Sequence, residues 1–252
     1  MKFNRLPAAA MIVAATAVGC GKDAPADRVP PPDAKRVDQT TSGTIAGRVL
    51  IEGPVPESST VKIEDPFCAR EKVPVETVVV DDGGLANVFV YIKSGLEKYY
   101  FDVPTEPAKL DQHSCRYIPH VLGVQAGQPL EVSNSDATVH TVAAVAKVNR
   151  PFNFSQPIQG LENTITFNEP EVMVRLKCDV HGWMNAFVGV VPHPYFAVTQ
   201  AGGKFELKNV PPGTYTVEAW HEKLGTRTEN VTLGEKGSQQ LSFTFNTQTT
   251  VP

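Results

Sequence analysis

Nineteen glycines and 21 prolines divide this 252-residue chain into short runs rich in Val, Thr, Phe and Tyr. Punctuation of that kind limits regular elements to a few residues, which suits strands and turns and argues against a helical bundle. With 41% hydrophobic and 20% charged residues, the chain can build a core and is unlike a disordered one. The net charge of -4 and the lack of a long Lys/Arg cluster leave no footprint for a phosphate backbone, so nucleic acid is not an expected partner. No stretch reaches about 18 consecutive apolar residues, which excludes a multi-span membrane protein and leaves the N-terminus as the one membrane candidate.

That N-terminus carries Lys2 and Arg5, an apolar run from Ala8 to Val18, and the small residues Ala17-Val18-Gly19 before Cys20. This is the layout of a secretory signal, and A-V-G-C is similar to a bacterial lipoprotein signal, in which the Cys is lipidated and becomes the mature N-terminus. The resemblance implies cleavage after residue 19, a lipid on Cys20, and a chain anchored to a membrane at the periplasm or cell surface. Residues 21–42 contain no aromatic, Leu or Ile and include a PPP run; such a segment buries nothing, so 20–42 is expected to be a disordered, solvated tether.

Beyond the tether, Ile45, Gly47, Val49 and Ile51 alternate on one face and residues 86–93 form another strand. Far downstream, residues 195–220 read as strand, Gly-Gly turn, strand, Pro-Pro-Gly turn, strand, with a last strand over 240–246. Gly47 and Val49, then Thr199, Gly203, Phe205 and Leu207, then Val210 to Val217 resemble the carboxypeptidase regulatory-like or transthyretin-like β-sandwich, over residues 43–95 and 194–247. About a hundred residues separate its halves, too many for a loop and about right for a small domain. The intervening series of short strands predicts a second sandwich. The expected organisation is therefore 43–98 and 194–247 as the two parts of one sandwich, 99–193 as the other, and 248–252 as a tail.

The strongest chemical signal lies in that middle stretch. Val172, Val174, Leu176 and Cys178 share strand parity, so Cys178 should point inward at a strand end, and it opens C-x-x-H-x-x-M with His181 and Met184. Thiolate, imidazole and thioether on one tight loop are the donors copper selects. The natural fourth ligand is His140, in register with Val132, Asn134 and Val142. With Tyr117, Pro119, Val124, Gly127, Leu130, Val132, Asn134 and Asp136 as supporting positions, residues 100–192 resemble a cupredoxin, most closely amicyanin in the ligand loop. That resemblance implies one copper ion, Cu(I)/Cu(II), on His140, Cys178, His181 and Met184, with His181 the exit for electrons. Two departures stand out: Thr141 replaces the Asn common after the first His, and residues 147–160 are long for the link between ligand strands.

With Cys20 lipidated and Cys178 on metal, Cys68 and Cys115 are the pairing favoured among the three possible. A zinc site is disfavoured because Met is a poor zinc ligand. His113, His120, His193 and His221 read as structural or surface histidines. Trp183, Phe187, Phe152, Phe154, Tyr195 and Trp220 read as core or interface fillers. The expectation is an all-β protein, a cupredoxin Greek-key sandwich inserted into or packed against a transthyretin-like β-sandwich. It would carry single electrons between a redox donor and acceptor, such as a cytochrome or copper enzyme, and would not itself be an enzyme. The alternatives are a copper-delivery module, which needs no redox cycling, and a structural or adhesive surface module.

Overall fold

The structure, a computed structural model, describes residues 32–248. The signal, Cys20 and the tether up to residue 31 lie outside the described residues, as do 249–252. Along the chain, β1 (Gly43–Glu52), β2 (Val80–Asp81), β3 (Gly84–Leu85) and β4 (Phe89–Ser94) come first. Next follow β5 (Ala108–His113), β6 (Arg116–Ile118), β7 (Val121–Gln125), β8 (Pro129–Asn134) and β9 (His140–Val145). After them come β10 (Phe152–Gln156), β11 (Glu162–Thr166), β12 (Glu171–Lys177) and β13 (Asn185–Val191). The chain closes with β14 (Phe196–Val198), β15 (Lys204–Val210), β16 (Gly213–His221), β17 (Gly225–Leu233) and β18 (Ser238–Asn246).

The chain is all-β, with one sandwich inserted in another. In the outer one, β1 pairs β15 and then β3 along one edge and β18, in parallel, along the other. The sheet β14-β4-β16-β17 faces it. Ile45 and Val49 of β1 meet Val90, Ile92, Val217, Phe243 and Phe245 in its core. In the inserted sandwich, β10-β9-β12-β13-β7 lies against β11-β8-β5-β6, around Leu110, Tyr117, Leu130, Val142, Leu176 and Val188. The long 147–160 stretch has its explanation here: Phe152–Gln156 adds an edge strand, β10, which pairs with β9 from His140 to Ala144.

The two sandwiches share a third apolar layer, and consecutive buried residues make it possible. Within β4, Val90 and Ile92 face the outer core while Phe89 and Tyr91 face the insert. Within β13, Val188 and Val190 face the inserted core while Phe187 and Val191 face outward to meet them. Phe187 and Trp220 lie with ring centroids 5.2 Å apart. Backbone must come close for this, and a Cβ on Gly189 would stand 2.4 Å from the Phe89 ring, one on Gly123 2.3 Å from Phe196. Gly189→Ala is therefore expected to destabilise the fold by about 1–3 kcal/mol through overpacking. Urea midpoints test this beside Gly234→Ala, whose Cβ would meet nothing within 4 Å.

Two expectations need correction. Part of the tether is docked: Lys35 N–H donates to Lys98 O at 2.9 Å, Tyr100 N–H donates to Lys35 O at 2.9 Å, and Arg36 pairs with Asp102. Main-chain hydrogen bonds need no apolar side chain, which is why composition alone misjudged this stretch. The parity of β12 also breaks at its start. A register shift lies between Glu171 and Val174, so Val172 turns toward the layer between sandwiches while Val174 and Leu176 face the inserted core. Glu171 is buried there, its carboxylate accepting the N–H groups of Lys147, Val148 and Asn149.

Candidate metal centre

At one end of the inserted sandwich, the start of β9 supplies His140, the end of β12 runs into Cys178, and the loop before β13 carries His181 and Met184. That loop is held by Met184 N–H to His181 O at 2.9 Å and Cys178 N–H to Met184 O at 3.2 Å. All four side chains are buried, none more than 2% exposed. The Nδ1 atoms of His140 and His181 are 2.9 Å apart, and Cys178 Sγ is 3.8 Å from His181 Nδ1. Two nitrogens and a sulfur at about 2.0–2.1 and 2.3 Å from one cation have separations of this size. The donor set fits a single soft or borderline ion, and of such ions copper suits a thiolate, two imidazoles and a thioether.

Two of the donors, His140 and Cys178, are held by hydrogen bonds from neighbouring residues. Asp136 receives His140 Nε2–H at 2.9 Å and also takes the N–H groups of Ser114 and Cys115, both at 2.8 Å. Ser114 and Cys115, at φ 52° and 55°, form the left-handed turn between β5 and β6, which the same carboxylate stabilises. The Cys178 sulfur receives the Thr141 N–H at 3.4 Å and its hydroxyl at 3.7 Å, and Thr141 Oγ1 accepts the Asp179 N–H at 2.7 Å. Thr141 thus ties together the two ligand-bearing loops at the position where an Asn is common.

Burial opposes charge on both His140 and Cys178, yet the partners prevail. Asp136 and the Cys178 sulfur raise the His140 imidazole to about 9. His140, the Thr141 N–H and His181 bring the Cys178 thiol down to about 6. Both shifts favour the charged forms, a thiolate beside an imidazolium. A cation bound here would displace a proton from His140 and meet sulfur already inclined to the thiolate.

Cys68 and Cys115 are joined in a disulfide, and Cys178 is the free cysteine among the described residues. Cys68 belongs to a segment between β1 and β2 that departs from the outer sandwich. Its Val61, Ile63, Phe67 and Val73 pack on the inserted core instead. There Asp65 Oδ2 and Cys68 Sγ each come to 3.7 Å from His181 Nε2. His181 itself is 1% exposed beneath this cover, while Asp179, Val180 and Gly182 of the same loop are exposed.

The sequence reading did not single out Asp65. Its signal is the D-P-F-C run, in which Asp65 Oδ1 accepts the N–H groups of Phe67 and Cys68 at 2.9 and 2.8 Å, an Asx turn. Trp183 in the ligand loop donates its Nε1–H to Cys115 O at 3.0 Å, which fixes it beside His181. The remaining histidines are elsewhere engaged: His120 with Glu222 at 2.6 Å, His193 with Ile92 O at 2.8 Å, His221 with the N–H groups of Lys223 and Leu224. His113 is exposed.

The fold and this cluster define an all-β protein with a buried His-Cys-His-Met centre. No family model and no curated protein matches the chain. Among solved structures, a copper-containing nitrite reductase from Thermus scotoductus SA-01 is 20% identical, the match covering 35% of this chain and 23% of that one with a TM-score of 0.32. A purple cupredoxin from Nitrosopumilus maritimus is 19% identical, over 33% of this chain and 98% of its own, TM-score 0.28. The Cu(I) form of an amicyanin mutant is 23% identical, over 40% of this chain and 97% of its own, TM-score 0.31. Each likeness concerns a part of this chain, and in the nitrite reductase less than a quarter of the other.

Proposed function

We propose that this chain is an exported copper protein that passes single electrons between partners in the cell envelope, its cupredoxin-like sandwich holding one copper ion on His140, Cys178, His181 and Met184. The observation that carries the reading is the convergence of both Nδ1 atoms with the Cys178 thiolate in a water-excluded site. Copper bound there supplies a one-electron couple. Cys178, His140, His181 and Met184 would hold it, the thiolate giving the strongest bond and the thioether the weakest. A donor set common to both oxidation states keeps reorganisation small. Four protein ligands leave no coordination position for a substrate, which favours a carrier over a catalyst. Lipid on Cys20 would anchor it to a membrane, at the periplasm or cell surface.

A Cu(II) titration of the chain, followed by visible absorption and electron paramagnetic resonance, tests the reading. The expected result is a strong thiolate-to-copper charge-transfer band that saturates at one copper per chain, with narrow hyperfine splitting, both lost in Cys178→Ser. A correctly folded chain without that band sinks the electron-carrier reading.

A further inference from the structure

The segment between β1 and β2 has no part in the outer sandwich's strand pairing around residues 61–73, yet it lies on the candidate metal centre. It is attached there in three ways. Val61, Ile63, Phe67 and Val73 pack on the inserted core, the Cys68–Cys115 disulfide bonds it to the turn after β5, and the Asx turn at Asp65 shapes its end. The result faces Nε2 of His181 with a carboxylate oxygen and a disulfide sulfur, each at 3.7 Å. On the other imidazole, His140 Nε2–H donates to Asp136 in a hydrogen bond at 2.9 Å. Each imidazole thus has a carboxylate on its Nε2 side, hydrogen-bonded for His140 and in electrostatic contact for His181, and the two converge through Nδ1. An acceptor opposite the ligating nitrogen fixes the tautomer and the ring orientation and raises ligand basicity.

We propose that Asp65 is a positioning residue for His181: carried on a cover that the Cys68–Cys115 disulfide fastens, it holds the imidazole through Nε2 and so presents Nδ1 to the metal. The proposal rests on the reading of the centre as a copper site. At 3.7 Å the contact is electrostatic rather than a hydrogen bond, so the effect belongs at the lower end of the 10–100-fold range for such partners.

Asp65→Asn is the informative change, because the amide oxygen can still accept from Phe67 and Cys68 and so keep the turn. Glu64→Gln, at an exposed neighbour, removes the same charge from the same segment, and Asp65→Glu is the conservative rescue. In the full chain, Cu(I) affinity is read by competition with a chromogenic cuprous chelator, and the Cu(II)/Cu(I) potential is measured separately. Asp65→Asn is expected to weaken Cu(I) binding about tenfold. It should weaken Cu(II) binding by a further factor of about two, a rise of about 18 mV in potential. Glu64→Gln should match the parent and Asp65→Glu should recover most of the loss. Near-ultraviolet circular dichroism confirms the fold of each variant.

If Asp65→Asn and Glu64→Gln cannot be told apart, the proposal fails, whether or not the parent shows a thiolate-to-copper band. If the parent lacks that band yet Asp65→Asn alone loses cuprous affinity, the electron-carrier reading fails and the role of Asp65 stands. A folded parent that binds neither oxidation state of copper overturns both.

Discussion

Acidification from pH 7 to 4 is expected to remove several kcal/mol of stability, with two buried histidines of the outer sandwich as the largest identifiable source. Burial holds both His193 and His221 down to about 4. His193 Nε2–H donates to Ile92 O, and its Nδ1 accepts the Tyr195 N–H. His221 spends Nδ1 on two backbone N–H groups, and its Nε2 has no partner. In the unfolded chain each titrates near 6.5. Above that pH both states are neutral and nothing is lost. Below it the unfolded chain binds protons that the folded chain refuses, so stability falls with pH until about 4, by about 3 kcal/mol per histidine. The buried Glu171 and Asp136 carboxyls, both held low by hydrogen bonds that outweigh their burial, act in the same direction and define the background. Urea unfolding at several pH values should show a shallower slope in His193→Gln with His221→Asn, which retain a donor and an acceptor respectively. Equal slopes in parent and double variant would remove the histidines from the account.

The second large effect is expected from the disulfide. Cys68 and Cys115 are 47 residues apart, and closing a loop of that length restricts the unfolded chain enough to stabilise the fold by about 4 kcal/mol in the chain-entropy model. Both cysteines are fully buried, so a reductant reaches them only through opening of the cover. Cys68→Ala with Cys115→Ala should lower the denaturant midpoint accordingly. The same midpoint should appear in the parent unfolded and refolded under reducing conditions. A loss below about 1 kcal/mol would mean that the cover holds by packing alone.

Local patterns carried most of what was legible in the sequence. Alternation in β1 and the turn residues between β14, β15 and β16 disclosed the outer sandwich, because a one-residue slip moves every side chain to the wrong face. The spacing of Cys178, His181 and Met184 was readable because one loop carries all three. His140 required only that Asn134 and His140 keep the parity of their strands. What escaped depends on contacts distant in sequence. Asp65 meets His181 only because the chain folds back across a disulfide. Lys35 docks through its backbone, which has no residue signature. Val172 faces the other sandwich because of a register shift, and a strict period-2 reading has no means of placing one. Phe89 and Tyr91 fall in the 86–93 strand, whose second covered face escaped because alternation describes one such face, whereas β4 has two.

The insertion itself dictates an order of events. β14 pairs with β4 through Phe196 and Tyr91, a contact that closes a loop of roughly a hundred residues while the insert is unfolded. Once the insert has folded, its two ends are close together and the same pairing closes a far shorter loop. Non-local pairing is slow for this reason, so the inner sandwich is expected to form first and the outer one to condense upon it. Loss of the inner sandwich in turn reopens that loop and carries β14 away from β4, which makes the two modules one cooperative unit in unfolding, though each has a core of its own.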